Sequence, residues 1–185
     1  GSWLASLSVS EKPIPDTEQS VAIAALNRQQ GNFAVSLLEG VTGSGKTEVY
    51  LQAIEPLLRD GKQVLILVPE IGLTPQTVSR FEKRFGIAVG VLHSQLSDKE
   101  RLHVWQRAKA GELGIIIGTR SAIFTPLHNP GMLIVDEEHD ESFKQQDGLR
   151  YHARDLAAMR AKQHNIPLLL GSATPALETL NNALN

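Results

Sequence analysis

The residues with the clearest chemical signature form the run GVTGSGKT at positions 40–47. An apolar stretch precedes this run and a helical pattern follows it. Glycines let successive backbone N–H groups point inward at a helix N-terminus, where an anion is favoured. In this pattern Gly43, Ser44 and Gly45 cradle phosphates, Lys46 reaches the β- and γ-phosphates, and the Thr47 hydroxyl ligates Mg²⁺. The run therefore predicts a nucleotide site rather than only a glycine-rich turn between strand and helix.

A second candidate group is acidic and follows the apolar stretch 132–135. Asp136 is predicted to hold Mg²⁺ directly or through water, and Glu137 to orient and deprotonate an attacking water. An acidic turn after a buried strand is the simpler alternative. It is less favoured beside the phosphate loop, because hydrolysis needs both a phosphate cradle and a metal-binding carboxylate. The six histidines show no i, i+4 pair, so His139 is not predicted to ligate zinc.

Three further sets of polar residues follow apolar stretches. Ser172 and Thr174, in the run GSATP at 171–175, either act near the nucleotide or simply cap a helix, and the residues alone leave the two readings evenly balanced. Thr119 and Arg120 suit a phosphodiester, as does the turn at 68–76 with its free amides.

The stretch 143–154 mixes aromatic rings with cations, as single-stranded nucleic acid requires, although an exposed loop packed on the core is an equal alternative. Its candidate contacts are Phe143, Lys144, Arg150, Tyr151 and Arg154.

The elements that must position these residues are predicted from apolar periodicity. Continuous rather than alternating apolar runs indicate strands buried on both faces of a parallel sheet. They lie at 33–39, 63–68, 87–92, 115–117, 132–135 and 167–170. Helices are expected between them, and the β-α alternation predicts an α/β fold with a doubly wound, mostly parallel sheet and helices on both faces.

Several residues predict where these helices begin and end. Ser97 and Glu100 form a capping box, and Thr74 and Thr174 each precede a proline at a first helical position. Pro56 is expected to kink or shorten the helix of residues 46–60, and Gly61 to follow its end.

Composition bounds the class of protein. With 185 residues the chain fits one domain of 17–185, preceded by 1–16 as a tag scar (Gly1-Ser2) and linker. A net charge of −2 argues against a binder that depends on bulk positive charge. The chain has no cysteine, which excludes disulfides and thiolate metal sites and fits a reducing cytosol. No run approaches the roughly 18 apolar residues of a membrane span.

Three classes of P-loop protein compete for this pattern. A signalling GTPase would carry Asn-Lys-x-Asp and Asp-x-x-Gly elements, which are absent, and His139 stands where that glycine would be. A small-molecule kinase would have an arginine-rich lid near the C-terminus, and the last twenty residues contain no arginine. A nucleic-acid translocase needs a water-activating acid and separate loops that bind the strand. Glu137 provides the acid, and the stretches at 68–76, 118–121 and 143–154 provide candidate loops.

The chain resembles the first motor lobe, with its RecA-like fold, of superfamily two DExH helicases, and more narrowly the bacterial primosomal replication-restart helicases. The likeness covers about residues 17–184. The runs at 40–50, 68–76, 93–97 and 118–122 resemble that family's motifs I, Ia and Ib, while DEEHD at 136–140 and GSATP at 171–175 resemble motifs II and III. Two departures are Pro15-Asp16 in place of Leu-Asn and Gly72 in place of alanine.

The resemblance implies roles for residues that their spacing alone leaves open. Gln19 would bind adenine, and His139 would relay between the nucleotide and Ser172 and Thr174, which link nucleotide state to strand grip. The stretch 143–154 would be an aromatic-rich loop that couples DNA contact to hydrolysis.

The resemblance also implies an activity and a set of partners. The cofactors are ATP and Mg²⁺, with zinc only in a cysteine-rich region outside this chain. The activity is 3′-to-5′ unwinding of stalled or recombined forks in the bacterial cytoplasm, with primosome assembly. Partners are single-stranded and forked DNA, a second lobe with an arginine finger, and primosome and single-strand-binding proteins, with no membrane. A regulatory nucleotide-binding module, or pseudo-ATPase, is the second alternative. It ranks below the motor because Lys46, Asp136 and Glu137, the residues that hydrolysis needs, are all present. A module that only binds DNA ranks third.

Overall fold

A computed structural model describes residues 3–39, 43–137, 147–172 and 179–182, without the side chains of 17, 18, 43, 44, 137, 147–152 and 179–182. The helices are α1 Trp3–Ser6, α2 Thr17–Arg28, α3 Gly43–Arg59, α4 Pro75–Phe85, α5 Asp98–Lys109 and α6 Asp147–His164, with 3-10 turns at Glu70–Gly72 and Arg120–Phe124. The strands are β1 Ala34–Glu39, β2 Gln63–Leu67, β3 Val89–Leu92, β4 Ile115–Gly118, β5 Pro130–Glu137, β6 Pro167–Ser172 and β7 Thr179–Asn182.

Within the described residues these strands form one sheet in the order β3-β4-β2-β5-β6-β1-β7. Strands β1 to β6 pair in parallel, and β7 pairs antiparallel with β1. The predicted doubly wound, mostly parallel α/β fold is therefore confirmed. The helix expected to start at Pro175 falls partly outside the described residues, and at 179–182 the chain is a strand. That pairing satisfies the backbone N–H and C=O groups on the outer edge of β1.

Side chains of the central strands alternate between two cores. Val64 and Ile66 of β2 pack with α2, α3 and α4 on one face of the sheet. Leu65 and Leu67 pack with α5 and α6 on the other face. Burial on both faces explains why the strands read as continuous apolar runs, since neither face meets water.

Most of the predicted helix boundaries are present. The Ser97 side chain accepts from Glu100 N and the Glu100 carboxylate accepts from Ser97 N, which completes the capping box. Thr74 caps α4 ahead of Pro75, and Gly61 has a left-handed φ of 76°. Of the two effects expected of Pro56, a kink or a shorter helix, shortening does not occur, because α3 continues to Arg59. Its neighbours Ile54, Leu57 and Leu58 are fully buried, and this packing holds the last turn in place.

The segment 3–16, expected to be a linker, lies against the α2-α3-α4 face. Trp3 Nε1 donates to Gly111 O at 2.9 Å, and Ser8 N donates to Phe85 O at 2.9 Å. Farther along, Gln52 Nε2 on α3 donates to Pro13 O at 3.2 Å. These contacts attach the segment to the sheet and its helices.

The stretch 143–154, expected to be a loop, differs from that expectation where it is described. From Asp147 onward the chain is helical and belongs to α6. Ala153, Ala157 and Ala161 recur every four residues and are buried, so one face of α6 packs on the sheet. Residues 147–154 of the aromatic and basic stretch therefore form the first two turns of α6. Residues 143–146 lie outside the described part of the chain.

No helix among the described residues is both long enough and apolar enough to span a bilayer.

Candidate nucleotide site

Three strand ends meet at one position of the sheet. Leu38 near the end of β1 is in register with Gly171 of β6, and Gly171 is in register with Asp136 of β5. The strands are parallel, so their carboxyl ends form one edge, the edge at which open α/β sheets bind ligands. Helix α3 begins at Gly43, a few residues after β1 ends, and residues 40–42 lie outside the description.

Lys46 and Asp136 come together at this edge. Lys46 Nζ lies 2.9 Å from Asp136 Oδ1, and the two side chains are 2% and 13% exposed. Despite this short distance, the ammonium makes no hydrogen bond of good geometry within the described residues. The contact is therefore a charge pair in which the lysine retains unused donors. An ammonium has three N–H donors and needs acceptors when it is buried.

The chemistry of these side chains fits a magnesium nucleotide. Phosphate oxygens are suitable acceptors for the buried Lys46 ammonium, whose N–H donors lack acceptors among the described residues. The Asp136 carboxylate and the Thr47 hydroxyl are hard oxygen ligands of the type that Mg²⁺ prefers. Thr47 follows Lys46 directly, near the N-terminus of α3. The site thus combines a cation for phosphate with oxygens for a metal.

Tyr50 is a residue of this site that our sequence reasoning missed. Its hydroxyl donates to Asp136 Oδ1 at 2.7 Å, and the side chain is 3% exposed. Tyr50 lies four residues after Lys46 on α3, so the two side chains share one face of the helix. That spacing was the available signal. Once Lys46 was placed beside Asp136, the next turn of the same face had to lie near it.

Gln19 connects α2 to the start of α3. Its Nε2 donates to Gly45 O at 3.2 Å, and its Oε1 accepts from Asp16 N at 3.0 Å. Asp16 in turn accepts from Gln19 N and caps α2. The structure therefore brings Gln19 to the phosphate loop, with both ends of its amide engaged by protein groups.

The other residues predicted for this site are placed by the backbone alone or fall outside the description. Glu137 ends β5 in register with Ser172 at the end of β6, although the Glu137 side chain is not described. Ser44 lies in the first turn of α3 beside Gly43 and Gly45. His139 and Thr174 lie outside the described residues.

The candidate nucleic-acid residues are dispersed. Thr119 and Arg120 follow β4, at the same carboxyl edge but two strands from β5. Thr119 is 7% exposed and Arg120 is half-buried, so Arg120 is the more accessible of the pair. Arg150, Tyr151 and Arg154 lie in α6 rather than in a loop, and Phe143 and Lys144 lie outside the description. The carboxyl edge thus has two halves. The β1-β6-β5 half carries the phosphate loop, and the β2-β4-β3 half does not.

An ion pair behind the phosphate loop joins α3 to α4. Arg84 donates to both oxygens of Glu48, at 2.9 and 2.5 Å, and both side chains are buried. Gln52 also donates to Glu48. Burial alone raises the pKa of Glu48, but hydrogen bonds from Arg84 and Gln52, with the charges of Arg84 and Arg80, lower the pKa overall. Glu48 is therefore an ionised structural carboxylate, one residue after Thr47.

Comparison with known proteins agrees with this geometry. The family model described as "DEAD/DEAH box helicase" matches residues 16–183. The chain is 60% identical over 168 residues to the replication restart protein PriA of Haemophilus influenzae, covering 91% of this chain and 23% of that protein. It is 49% identical over 175 residues to the Bacillus subtilis PriA, covering 93% of this chain and 22% of that protein. The chain thus spans about a quarter of the length of these relatives.

Solved structures show the same fold. RecG bound to a three-way DNA junction superposes with a TM-score of 0.62 at 24% identity, covering 94% of this chain and 22% of RecG. A hypothetical ATP-dependent RNA helicase from Sulfolobus tokodaii gives 0.60 at 19% identity, covering 90% of this chain and 48% of the other. The resemblance to bacterial replication-restart helicases inferred from the motifs is confirmed. The family match over nearly the whole chain, the shared fold and the paired Lys46 and Asp136 lead to one conclusion: the chain belongs to the DEAD/DEAH box helicase family.

Proposed function

We propose that this chain is the ATP-binding and ATP-hydrolysing motor lobe of a 3′-to-5′ DNA helicase that unwinds stalled or recombined replication forks and starts primosome assembly. The contact between Lys46 and Asp136 at the carboxyl edge carries the nucleotide part of the proposal. The high identity to replication restart proteins supports the part that concerns forks.

Each residue of the site has a task in hydrolysis. The amides of Gly43, Ser44 and Gly45 bind phosphate oxygens, and the Lys46 ammonium exchanges part of its contact with Asp136 for the β- and γ-phosphates. Thr47 and Asp136 would hold Mg²⁺, which neutralises charge on the phosphate oxygens when bound. Glu137 orients the attacking water and takes its proton.

Contacts to adenine and to a second lobe complete the active enzyme. Gln19 hydrogen-bonds adenine after releasing one of its protein contacts. An arginine finger from a second lobe is worth about 10³–10⁵ in turnover, or about 4–7 kcal/mol. We therefore expect this chain alone to bind magnesium nucleotide weakly and to hydrolyse ATP barely above background.

The proposal places DNA on the β2-β4-β3 half of the edge, away from the nucleotide. Arg120 and the amides of the turn at 68–76 would contact the phosphodiester backbone. Arg150, Tyr151 and Arg154 of α6, with the preceding Phe143 and Lys144, would add to the DNA surface. Ser172 and Thr174, with His139, would transmit nucleotide state to this surface. Single-strand-binding and primosome proteins are the proposed partners, the bacterial cytoplasm is the proposed location, and no membrane is involved.

ATP turnover with and without single-stranded DNA tests the proposal, in a longer polypeptide that also carries a second helicase lobe. We expect DNA-stimulated turnover in the wild type and its loss in Lys46→Ala and in Glu137→Gln. Lys99→Ala and Glu112→Gln remove exposed residues of the same types and should leave turnover unchanged. A wild type that binds nucleotide without turnover would favour the alternative, a regulatory pseudo-ATPase module. Full turnover in Lys46→Ala would contradict the proposal.

A further inference from the structure

Tyr50 and Lys46 approach the same oxygen of the same carboxylate. Lys46 Nζ lies 2.9 Å from Asp136 Oδ1, and the Tyr50 hydroxyl donates to Oδ1 at 2.7 Å. Neither contact uses Oδ2. The Tyr50 hydrogen bond and the Lys46 charge contact both hold Oδ1 from the same helix, which limits rotation of the carboxylate and so constrains the direction of the other oxygen.

The backbone of β6 is adapted to this hydroxyl. A Cβ at Gly171 would overlap the Tyr50 hydroxyl oxygen and would lie 3.0 Å from Asp136 Oδ1. The φ of Gly171 is not in the left-handed region, so the backbone conformation itself does not require glycine there. The requirement comes from the tyrosine, whose oxygen occupies the space beside the Gly171 Cα.

We propose that Tyr50 is a positioning residue for metal binding, whose hydroxyl holds the Asp136 carboxylate so that Oδ2 is presented to Mg²⁺. Position 171 is a glycine because this hydroxyl needs the space. The proposal rests on the proposed function, since it assigns the metal of a bound nucleotide to Asp136. It also gives the end of β6 a direct link to the metal carboxylate, because Gly171 immediately precedes Ser172.

A purely structural role for Tyr50 makes a different prediction. A phenol that only fills space would affect the stability of the lobe and leave the benefit of Mg²⁺ for nucleotide binding unchanged. A positioning hydroxyl affects that benefit specifically, because partners that orient metal ligands typically contribute about 10–100-fold in metal affinity. The ratio of nucleotide affinities with and without Mg²⁺ therefore separates the two roles.

The test uses the 185-residue chain, a fluorescent ADP analogue and Mg²⁺ titrations in wild type and Tyr50→Phe. We expect Tyr50→Phe to reduce the Mg²⁺-dependent gain in affinity about tenfold, with little change in metal-free affinity. Thr125→Val is the matched control, since it removes another buried hydroxyl, which donates to Ala122 O at 2.7 Å at the end of the 3-10 turn that follows β4. It should leave the Mg²⁺ gain unchanged.

The outcomes distinguish this proposal from the proposed function. A wild type without Mg²⁺-dependent nucleotide binding would overturn both. A wild type with that gain, unchanged in Tyr50→Phe, would overturn the positioning role alone.

A second comparison tests the explanation of Gly171 without any nucleotide. Gly171→Ala should lower the melting temperature strongly. The double variant Tyr50→Phe/Gly171→Ala should melt higher than Gly171→Ala, because the overlapping oxygen is gone and the ring Cζ lies 3.0 Å from the added methyl. A double variant that melts no higher than Gly171→Ala would overturn that explanation.

Discussion

Arg84 of α4 binds Glu48 of α3 through both carboxylate oxygens, and the two side chains are 8% and 6% exposed. This pair joins α3, which follows the phosphate loop, to α4, which follows β2 in the β2-β4-β3 half of the edge. Removal of one partner from a buried pair leaves an uncompensated charge, which is far more costly than the loss of a surface pair.

Arg84→Met is therefore expected to destabilise the lobe by about 3 kcal/mol, measured by urea unfolding. This is the lower end of the cost of breaking a buried pair, because Arg80 Nη2 still lies 3.4 Å from Glu48 Oε1. Arg59→Met is the control, because Arg59 pairs with Glu55 but is 58% exposed, and its loss should cost about 0–1 kcal/mol. The double variant Glu48→Met/Arg84→Met should recover much of the loss, since no charge remains buried. Equal effects of Arg84→Met and Arg59→Met would show that burial of the pair contributes nothing.

The same carboxylate predicts a dependence of stability on pH. The folded-state pKa of Glu48 is lowered below its ordinary value of 4.5, so ionised Glu48 favours the folded state. This contribution is complete above about pH 4.5 and is lost as the pH falls through the lower folded-state pKa. Unfolding free energies between about pH 6.5 and about pH 3.5 should fall less steeply in Glu48→Gln than in the wild type. Parallel curves for the two proteins would contradict the assignment.

Gln63 predicts a large effect far from the site. Its buried amide donates to Ala108 O and Leu113 O, at 3.0 and 2.7 Å, and accepts from His128 N and Asn129 N, at 2.7 and 2.9 Å. Gln63→Met leaves four backbone groups without these partners, so it should destabilise by more than about 3 kcal/mol in urea unfolding. Gln63→Glu keeps an acceptor for the two N–H groups but sets a buried carboxylate oxygen against Ala108 O and Leu113 O, so it should be no more stable than Gln63→Met. Gln95→Met, at an exposed glutamine, should be close to neutral. A neutral Gln63→Met would show that water replaces all four bonds.

Gln19 offers a test of base selectivity. An amide can both donate to and accept from adenine, whereas a carboxylate can only accept. Gln19→Glu keeps the acceptor for Asp16 N and loses the donor that now reaches Gly45 O. We expect the variant to lose preference for ATP over GTP in competition binding, with Gln29→Glu, near the far end of α2, as the control. Preserved preference in Gln19→Glu would place adenine recognition elsewhere.

The features predicted from the sequence were those encoded by local patterns. Continuous apolar runs identified the six parallel strands, and glycine spacing placed Lys46 at a helix N-terminus at the correct edge. The pairing of Glu48 with Arg84 spans 36 residues and depends on how two helices pack, which periodicity does not report. Strand β7 has the sequence TLNN, whose short polar run carries no strand signal, and its pairing follows from the open edge of β1. Tyr50 was only partly predictable. Its four-residue spacing from Lys46 places both side chains on one face of α3, but its hydrogen bond to Asp136 is a tertiary contact that the spacing does not reveal.

The central claim is that Lys46 and Asp136 form one site for a nucleotide with its magnesium. Calorimetric titration of ATP into this chain, with and without Mg²⁺, tests it directly in wild type, Lys46→Ala and Asp136→Asn. We expect Lys46→Ala to weaken binding under both conditions, and Asp136→Asn to remove the Mg²⁺-dependent gain while retaining metal-free binding. Wild-type affinity and an intact Mg²⁺ gain in both variants would contradict it.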